Sequence, residues 1–540
     1  MYLKNILGLF FLRISSTNIG VKMKNYKEHL RSVSTIKKLN EKRSKVLRAS
    51  AIFPCFTNKD LDTRILFLGY WMLKKNLPYI KFSYKLRDKM GKIFKEKIQM
   101  LTESKSYSIS IKQLLNNTLK DNFFGSIELE FFSKNDLIFP FPACVISLDY
   151  KQGSSFVHTV GRVYNNSEDE KNNSKFKVPE AGFDILPNKK FYPFISFVNG
   201  KRKLLNQKLQ VKIINFKNQS FTKLINLKNI KPYETKFISL MDSNQKQFLE
   251  GQKGTAIIKH NLSGFYPRFL SGNCNEAQSK FSITHSYYDT KQIKEFSMNE
   301  DKKKFHDATL TVPIFKNKFL TEISLYPIYC STKFDVGIEF FSPEGKKIYS
   351  KNKFLRFKRN GVNFINLNNQ IKDIHFKKFK EKYCLAKINF SGKPFPSRLK
   401  FGLNIKDKNN PNAMASNVCF NAQLVNKNNL SKKTRFCWTP LLNKKNSSFI
   451  IYNTSFLKKT FKPANITMNV WREHDKKNIS KNLMLNDNGS YFFDLNKNKK
   501  IKNFLKNRSG WVTFKSDNPF IQGYYLESSK QGNIGADHFF

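Results

Sequence analysis

Four stretches of this chain share one pattern of apolar and polar positions: "IKFSYKLRDKMGKIF", "LQVKIINFKNQSF", "FDVGIEFFSPEGKKIY" and "ITMNVWREHDKKNIS". In each, apolar and polar residues alternate up to a polar turn, such as Met90-Gly91 or Pro343-Glu344-Gly345. Period two puts successive side chains on opposite faces, so each stretch predicts a pair of half-buried strands joined by a turn. A short strand follows in every case: "YSISIKQL", "TKFISLMD", "VNFINLNN" and "SYFFDLNK". With Ile109, Phe237, Phe364 and Phe492 as equivalents, the steps are 128, 127 and 128 residues. A glycine-led strand, a proline corner and a terminal strand complete the unit, with Gly125, Gly254 and Gly510 in register and Cys384 or a neighbour standing where the third glycine belongs.

Self-similarity at a fixed period predicts a repeat architecture. Each copy holds about seven short β-like segments rich in β-branched and aromatic residues, which is the pattern of a β-sandwich of roughly a hundred residues. The expected fold is all-β, four tandem antiparallel β-sandwich modules spanning 55–165, 178–291, 305–425 and 436–540. Polar spacers at 165–174, 292–304 and 425–433 separate them, and a basic, helix-compatible segment, 1–54, precedes them.

The last copy carries "IIYNTS", "GSYFFDL" and "VTFKSDNPFIQGYY". A strand ending in Asn, then a glycine-turn hairpin and a Ser-Asp-x-Pro corner, resembles the Ig-like sandwich modules of bacterial proteins over about a hundred residues. That resemblance implies adhesion, carbohydrate or protein binding, or plain spacing, in preference to catalysis; fold alone does not fix function.

Composition changes this picture little. The formal net charge is +56, from 96 basic and 40 acidic residues in 540. Lysine far outnumbers arginine and is spread through loop-like stretches such as "KDKNNPN" and "NLNKNKKIKN", the pattern of solvated surface lysine; a nucleic acid or an anionic membrane surface is the alternative partner. Seven scattered cysteines with no CxxC pair read as reduced thiols, neither a disulfide framework nor a zinc site. No run reaches the length of a membrane-spanning helix, and "ILGLFFL", cut short by Arg13, makes a poor signal peptide. With Met1 or Met23 as start, a cytoplasmic location is expected, and association with a cell envelope stays open.

The richest polar cluster is "GFYPRFLSGNCNEAQSKFSITHSYYD" in the second module. It supplies Arg268, Asn273, His285, Tyr287, Tyr288 and Asp289 as candidate ligand-binding residues, suited to a carbohydrate or a protein partner: an arginine fork for an anionic group or for Asp289, and tyrosines for stacking. No catalytic residue, cofactor or metal is expected. Ser286 beside His285 cannot act as nucleophile and base on an extended strand, because neighbours diverge, and no GxSxG elbow occurs. His260, Cys274 and His285 lack ligand spacing. Glu128 and Glu130 share a strand face but read as charge balance. Aligned terminal strands make His285 equivalent to His158, His538 and Cys419, so the histidine is expected to serve the sandwich through bonds from its ring to backbone. The function expected is non-enzymatic binding of a carbohydrate or protein through module 2. Two alternatives remain: an enzyme on a sugar or acyl substrate using His285 as base and Arg268 as anion clamp, and a binder of anionic surfaces.

Overall fold

The computed structural model describes residues 45–540 apart from 117–121, 152, 159–160, 165–179, 189, 266–267, 290–306, 326–333, 358–361, 372–382, 392–399, 422, 425–433, 443–445 and 456–461. The basic segment 1–44 and most of the polar spacers therefore lie outside the described residues.

Module 1 contains β1 (Arg48–Thr57), β2 (Leu61–Leu68), β3 (Ile80–Asp88), β4 (Ile93–Leu101), β5 (Ser106–Ser110), β6 (Phe123–Phe132), β7 (Cys144–Tyr150) and β8 (Gly153–His158). They form two antiparallel sheets, β1-β6-β3-β4 and β5-β2-β7-β8. Module 2 repeats the plan with β9 (Glu180–Ile185), β10 (Phe191–Val198), β11 (Leu204–Asn215), β12 (Ser220–Ile230), β13 (Thr235–Ser239), β14 (Gly254–His260), β15 (Leu270–Asn275), β16 (Phe281–His285) and a short β17 (Tyr287–Asp289). Module 3 has β18 (Asp307–Phe315), β19 (Phe319–Leu325), β20 (Phe334–Phe341), β21 (Lys347–Phe357), β22 (Asn363–Asn366), β23 (Tyr383–Ser391), β24 (Lys400–Asp407), β25 (Val418–Asn421) and β26 (Gln423–Leu424). Module 4 has β27 (Arg435–Leu441), β28 (Asn446–Asn453), β29 (Ala464–Arg472), β30 (Asn478–Leu485), β31 (Ser490–Asp494), β32 (Gly510–Ser516), β33 (Ile521–Ser528) and β34 (Ile534–His538). The chain is all-β, and its helical turns are short.

Alternation explains the strands. In β11, Leu209, Val211 and Ile213 are buried, whereas Lys208, Gln210 and Lys212 between them are exposed. The register also fixes the repeat. Gly125, Gly254 and Gly510 pair with Cys55, Ile185 and Leu441, and Cys384 pairs with Ile314 in the same place, so the third copy carries cysteine at the glycine position.

One difference from the sequence reading lies at the N-terminal boundary: β1 begins at Arg48, inside the segment 1–54 read as a basic arm. Ala49, Ala51 and Phe53 alternate into the module 1 core, which makes these residues a strand. All ten residues of β1 are buried, on both faces. The cause is the next module. Phe56, on the outer face of β1, packs against Phe194, Phe237 and Phe281 of module 2, with ring centroids 5.2–6.5 Å apart.

The same contact recurs around the molecule. Phe315 of β18 meets Phe492 of module 4 at 5.6 Å, and Trp438 of β27 stacks on Tyr70 of module 1 at 4.8 Å. In the seam between modules 2 and 3 the contact is ionic, with Lys253 against Glu322. Each module thus lays its first sheet on the second sheet of the next, and module 4 returns to module 1. The four modules close a ring.

The hairpin turns clip this ring at its rim. Thr235 of module 2 donates its N–H to the Lys89 carbonyl in the β3–β4 turn (3.0 Å). Val362 donates to Asn218 Oδ1 in the β11–β12 turn (2.8 Å). Ser490 donates to the Pro343 carbonyl (2.8 Å), and the His474 N–H in the β29–β30 turn donates to the Ser106 carbonyl of module 1 (2.9 Å). Each turn holds a residue with positive φ: Gly91 (90°), Asn218 (65°), Gly345 (90°) and His474 (57°). A Cβ on Gly345 would overlap the Asp487 carbonyl oxygen of module 4. Gly345→Ala is therefore expected to lose about 1–3 kcal/mol, from the left-handed backbone and the clash together. Urea unfolding of the two proteins measures it, and an unshifted midpoint would show that this clip contributes nothing.

Candidate functional site at the ring axis

At the centre of the ring the terminal strands of all four modules meet: β8 touches β16 and β34, and β25 touches the same two from the opposite side. Polar contacts tie each neighbouring pair. Ser155 Oγ accepts from the Ile283 N–H (2.8 Å), Ser282 Oγ donates to the Ala415 carbonyl (2.7 Å), Asn533 Oδ1 accepts from the Met414 N–H (2.9 Å), and Ser154 Oγ donates to Glu527 (2.6 Å).

This convergence brings together the histidines that the repeat had placed in equivalent positions. The Nε2 atoms of His158 and His285 lie 3.0 Å apart, and the His158 ring centroid is 4.5 Å from that of His285 and 4.7 Å from that of His538. Asp537, 3% exposed, faces His158 Nδ1 with both carboxylate oxygens, at 3.2 and 3.3 Å, and also accepts the His158 backbone N–H (2.8 Å). His285 Nδ1 donates to the Ser286 carbonyl (3.1 Å) and His538 Nδ1 to the Phe539 carbonyl (2.8 Å). The ring-to-backbone bonds expected from the sequence are present at these two. Cys419, the fourth equivalent, packs on Tyr287.

Electrostatics follow from burial. Desolvation draws the His158 and His285 pKa values down, His285 well below the ordinary range, with the Arg268 charge adding to both and the Lys400 charge to His285. Asp537 opposes this at His158, and the two neighbouring histidines hold the Asp537 carboxyl below its usual range.

The other predicted residues disperse. Arg268 is half-buried and near enough to act electrostatically on both histidines. Tyr287 is buried on β17, its ring over Gly182 and its face 5.5 Å from Lys400 Nζ. The backbones of Tyr288 and Asp289 pair with Ala181 and Glu180 of β9; their side chains lie outside the described residues. Asn273, 1% exposed, lines a separate cavity of about 400 Å³ between modules 2 and 3, with Lys406, Asp407 and Met414, and neither of its amide atoms has a hydrogen-bond partner. The Ser286 hydroxyl accepts the Phe269 N–H (3.1 Å) while His285 addresses the Ser286 carbonyl, so hydroxyl and imidazole make separate bonds. His260 and His285 lie on different sheets. Glu128 and Glu130 are held by Arg48, Arg87 and Lys85 at 2.8–3.6 Å, an ion-pair network.

The sequence reading missed the joining of His158, His285, His538 and Asp537. The signal available was Asp537 itself: the residues one place before the histidine or cysteine in the other modules are Val157, Thr284 and Val418, so module 4 alone carries a carboxylate there.

Two surface features complete the description. A groove of about 550 Å³ opens between β4 and β5 in module 1, lined by Phe82, Tyr84, Met100, Tyr107 and, from module 4, His474. Beside it, β4 forms an unpaired sheet edge on which Ile93, Phe94, Ile98 and Met100 are 43–63% exposed. The six described cysteines are buried thiols, and among the described residues no helix is long and apolar enough to cross a membrane.

No family model and no curated protein matches this chain. Among solved structures, the tetra-tandem repeat in the extending region of a large adhesion protein is 8% identical, with 85% of this chain and 90% of that one covered and a TM-score of 0.09. The BSP domain of a biofilm-associated protein is 8% identical, covering 92% and 97%, with a TM-score of 0.15. The secreted serine protease VesC of Vibrio cholerae is also 8% identical, covering 91% and 95%, with a TM-score of 0.13. Likenesses this slight carry no argument about function.

Proposed function

We infer that the chain is a non-enzymatic scaffold that binds a protein partner along the outer edge of module 1. The observation carrying this reading is β4: four large apolar residues exposed on one nine-residue edge strand, beside an aromatic-lined groove. The equivalent edges β12 and β30 expose only Leu224 and Met484 among their described large apolar residues. An edge strand offers unpaired N–H and C=O groups to an incoming strand, and natural sheets usually protect such edges with charge. Lys95 and Lys97 on β4 do so in part, but Phe94 and Ile98 stay 62% and 63% exposed.

A carbohydrate is the weaker ligand, because the groove's aromatics Phe67, Phe82, Tyr84 and Tyr107 are all buried and leave little ring surface for a sugar to stack on. Of the module 2 candidates, Arg268, His285 and Tyr287 bear on internal contacts more than on an outward ligand, and Asn273 faces a separate cavity between modules 2 and 3. Lysines recur on all four outer edges, at Lys95, Lys223, Lys351 and Lys481, which suits solvation better than one polyanion track.

The test is crosslinking mass spectrometry on the full chain purified with its bound proteins, with the double variant Phe94→Lys and Ile98→Lys as control. Crosslinks mapping to β4, and at least a tenfold weaker association in the variant, are expected. Partner binding that ignores the variant, or turnover of a sugar or ester substrate, would defeat the reading.

A further inference from the structure

We propose that the cavity between modules 2 and 3 binds an N-acylated amino acid, free or as the C-terminal residue of a peptide, held by the Asn273 amide and the Lys406 ammonium. The argument starts from Asn273. It is 1% exposed and lines the cavity, and neither its Oδ1 nor its Nδ2 has a hydrogen-bond partner among the described residues. A buried amide left unpaired is costly, so buried polar groups are normally satisfied by whatever lies beside them. An asparagine side chain carries an acceptor and a donor next to one another. One residue of an extended chain offers its own N–H and C=O to the same side, as in a hydrogen-bonded strand pair. A single amino-acid unit therefore satisfies both atoms of Asn273 at once.

The second observation is the repeat. Asn273 follows by three places Leu270, which pairs with His285. The same count from Val145 opposite His158, Gly402 opposite Cys419 and Tyr524 opposite His538 reaches Leu148, Ile405 and Glu527. Leu148 and Ile405 are buried in apolar cores, and Glu527 accepts from Ser154 Oγ (2.6 Å) and the Tyr525 hydroxyl (3.2 Å). Packing at this position is met by an aliphatic side chain or by a fully bonded polar one. Of the four modules, only the second places an unbonded amide there, and only there does the side chain face this cavity.

The third is the charge. Lys406 on β24 lines the same cavity half-buried; desolvation draws its pKa down, and no carboxylate opposes that shift. The acid in the lining, Asp407, turns Oδ1 to the N–H groups of Asn409 and Asn410, at 2.8 and 3.1 Å. A ligand carboxylate supplies what Lys406 lacks. A free ammonium on the next carbon would meet the same lysine, which is why an acylated nitrogen fits. Leu186, Phe191, Leu320 and Met414 give apolar walls for a side chain of leucine size, and about 400 Å³ lies within the range of small-ligand sites. Asn188 Nδ2 donates to the Asn412 carbonyl (3.1 Å), tying the module 2 wall to the module 3 wall. Sequence spacing hides the site because its two polar anchors belong to different modules.

The full chain is titrated separately with N-acetyl-L-leucine, N-acetyl-L-leucinamide and an acetylated Gly-Gly-Leu peptide, and binding is followed by saturation-transfer NMR of the ligand. For N-acetyl-L-leucine a dissociation constant of about 1 mM or below is expected of a ligand this size. The leucinamide, which lacks the carboxylate, should bind roughly tenfold or more weakly. Asn273→Leu puts at this place the residue that module 1 has, so it should keep or raise the melting temperature while weakening the acid by roughly tenfold or more. Lys406→Gln should weaken the acid and leave the leucinamide unchanged, which keeps the test informative if Asn273→Leu misfolds. Binding of the peptide as well as the small acid supports the site with peptide C-termini as its ligands; binding of the small acid alone supports it with a free molecule. Failure of wild type to bind either acid overturns the proposal, and a more stable Asn273→Leu would then mark Asn273 as a hydrated core residue. Equal affinity for acid and leucinamide, or acid binding unchanged in both variants, also overturns it.

Discussion

Replacing Lys253 by methionine is expected to lower stability by about 3–5 kcal/mol, the usual result of removing one member of a buried ion pair. Lys253, 6% exposed, closes the seam between modules 2 and 3. Its ammonium contacts Glu322, donates to Ser324 Oγ (3.1 Å), and reaches the Asn404 amide oxygen (3.0 Å) when that amide is turned to donate to the Ser416 carbonyl. Asp184, 3% exposed, lies close enough to interact by charge. Burial draws the lysine pKa down and the Asp184 pKa up, and each group holds the other partly in its charged form. Methionine matches the lysine stem in volume but leaves the buried Glu322 and Asp184 carboxylates without the ammonium that each interacts with. If the loss is electrostatic, adding Asp184→Asn and Glu322→Gln to Lys253→Met should recover most of it. Urea unfolding of wild type, single and triple variants decides, and a single variant as stable as wild type would refute the argument.

This seam also shows what the sequence could and could not tell. Lys253 stands one place before Gly254, as Phe124 stands before Gly125 in module 1, Tyr383 before Cys384 in module 3 and Ser509 before Gly510 in module 4. Alternation and the 128-residue period made the strands, the four copies and the all-β class legible, because a half-buried strand writes its burial into every second residue. Ring closure was not legible, since an outer-face residue covered by another module looks like any core residue. The usable hint was the unbroken apolar run of the first strands, "AIFPCF" and "CWTPLL", which is how strands buried on both faces read. At the axis, the recurrence of His158, His285 and His538 was visible, but a repeat says only that positions are equivalent. That equivalent positions touch follows from cyclic closure: residues at one place in each unit meet where the axis passes through that place.

His260 should contribute to the acid sensitivity of the fold. Its ring sits on β14 against Phe269, with centroids 5.1 Å apart, is 8% exposed, and has no hydrogen-bond partner for either ring nitrogen. Desolvation alone lowers its pKa from 6.5 to about 4. In the unfolded chain the ring takes up a proton as pH falls through about 6.5, whereas in the folded chain it stays neutral until about pH 4. Above pH 6.5 neither state is protonated and the group is indifferent to pH. Between 6.5 and 4 the unfolded state binds more protons, so stability falls as pH falls, by roughly 3 kcal/mol over the whole window. His260→Leu removes that proton uptake and keeps the packing on Phe269, so the variant should be at least as stable as wild type at pH 7 and about 2–3 kcal/mol more stable than it near pH 4.5. Urea midpoints at the two pH values measure the gap. A gap of the same size at both would mean that the ring takes its proton inside the folded module, and that acid sensitivity arises elsewhere, the first places to look being the His285 ring, which burial draws well below the ordinary imidazole range, and the Glu130 carboxylate, held low against its burial by Arg48 and Lys85.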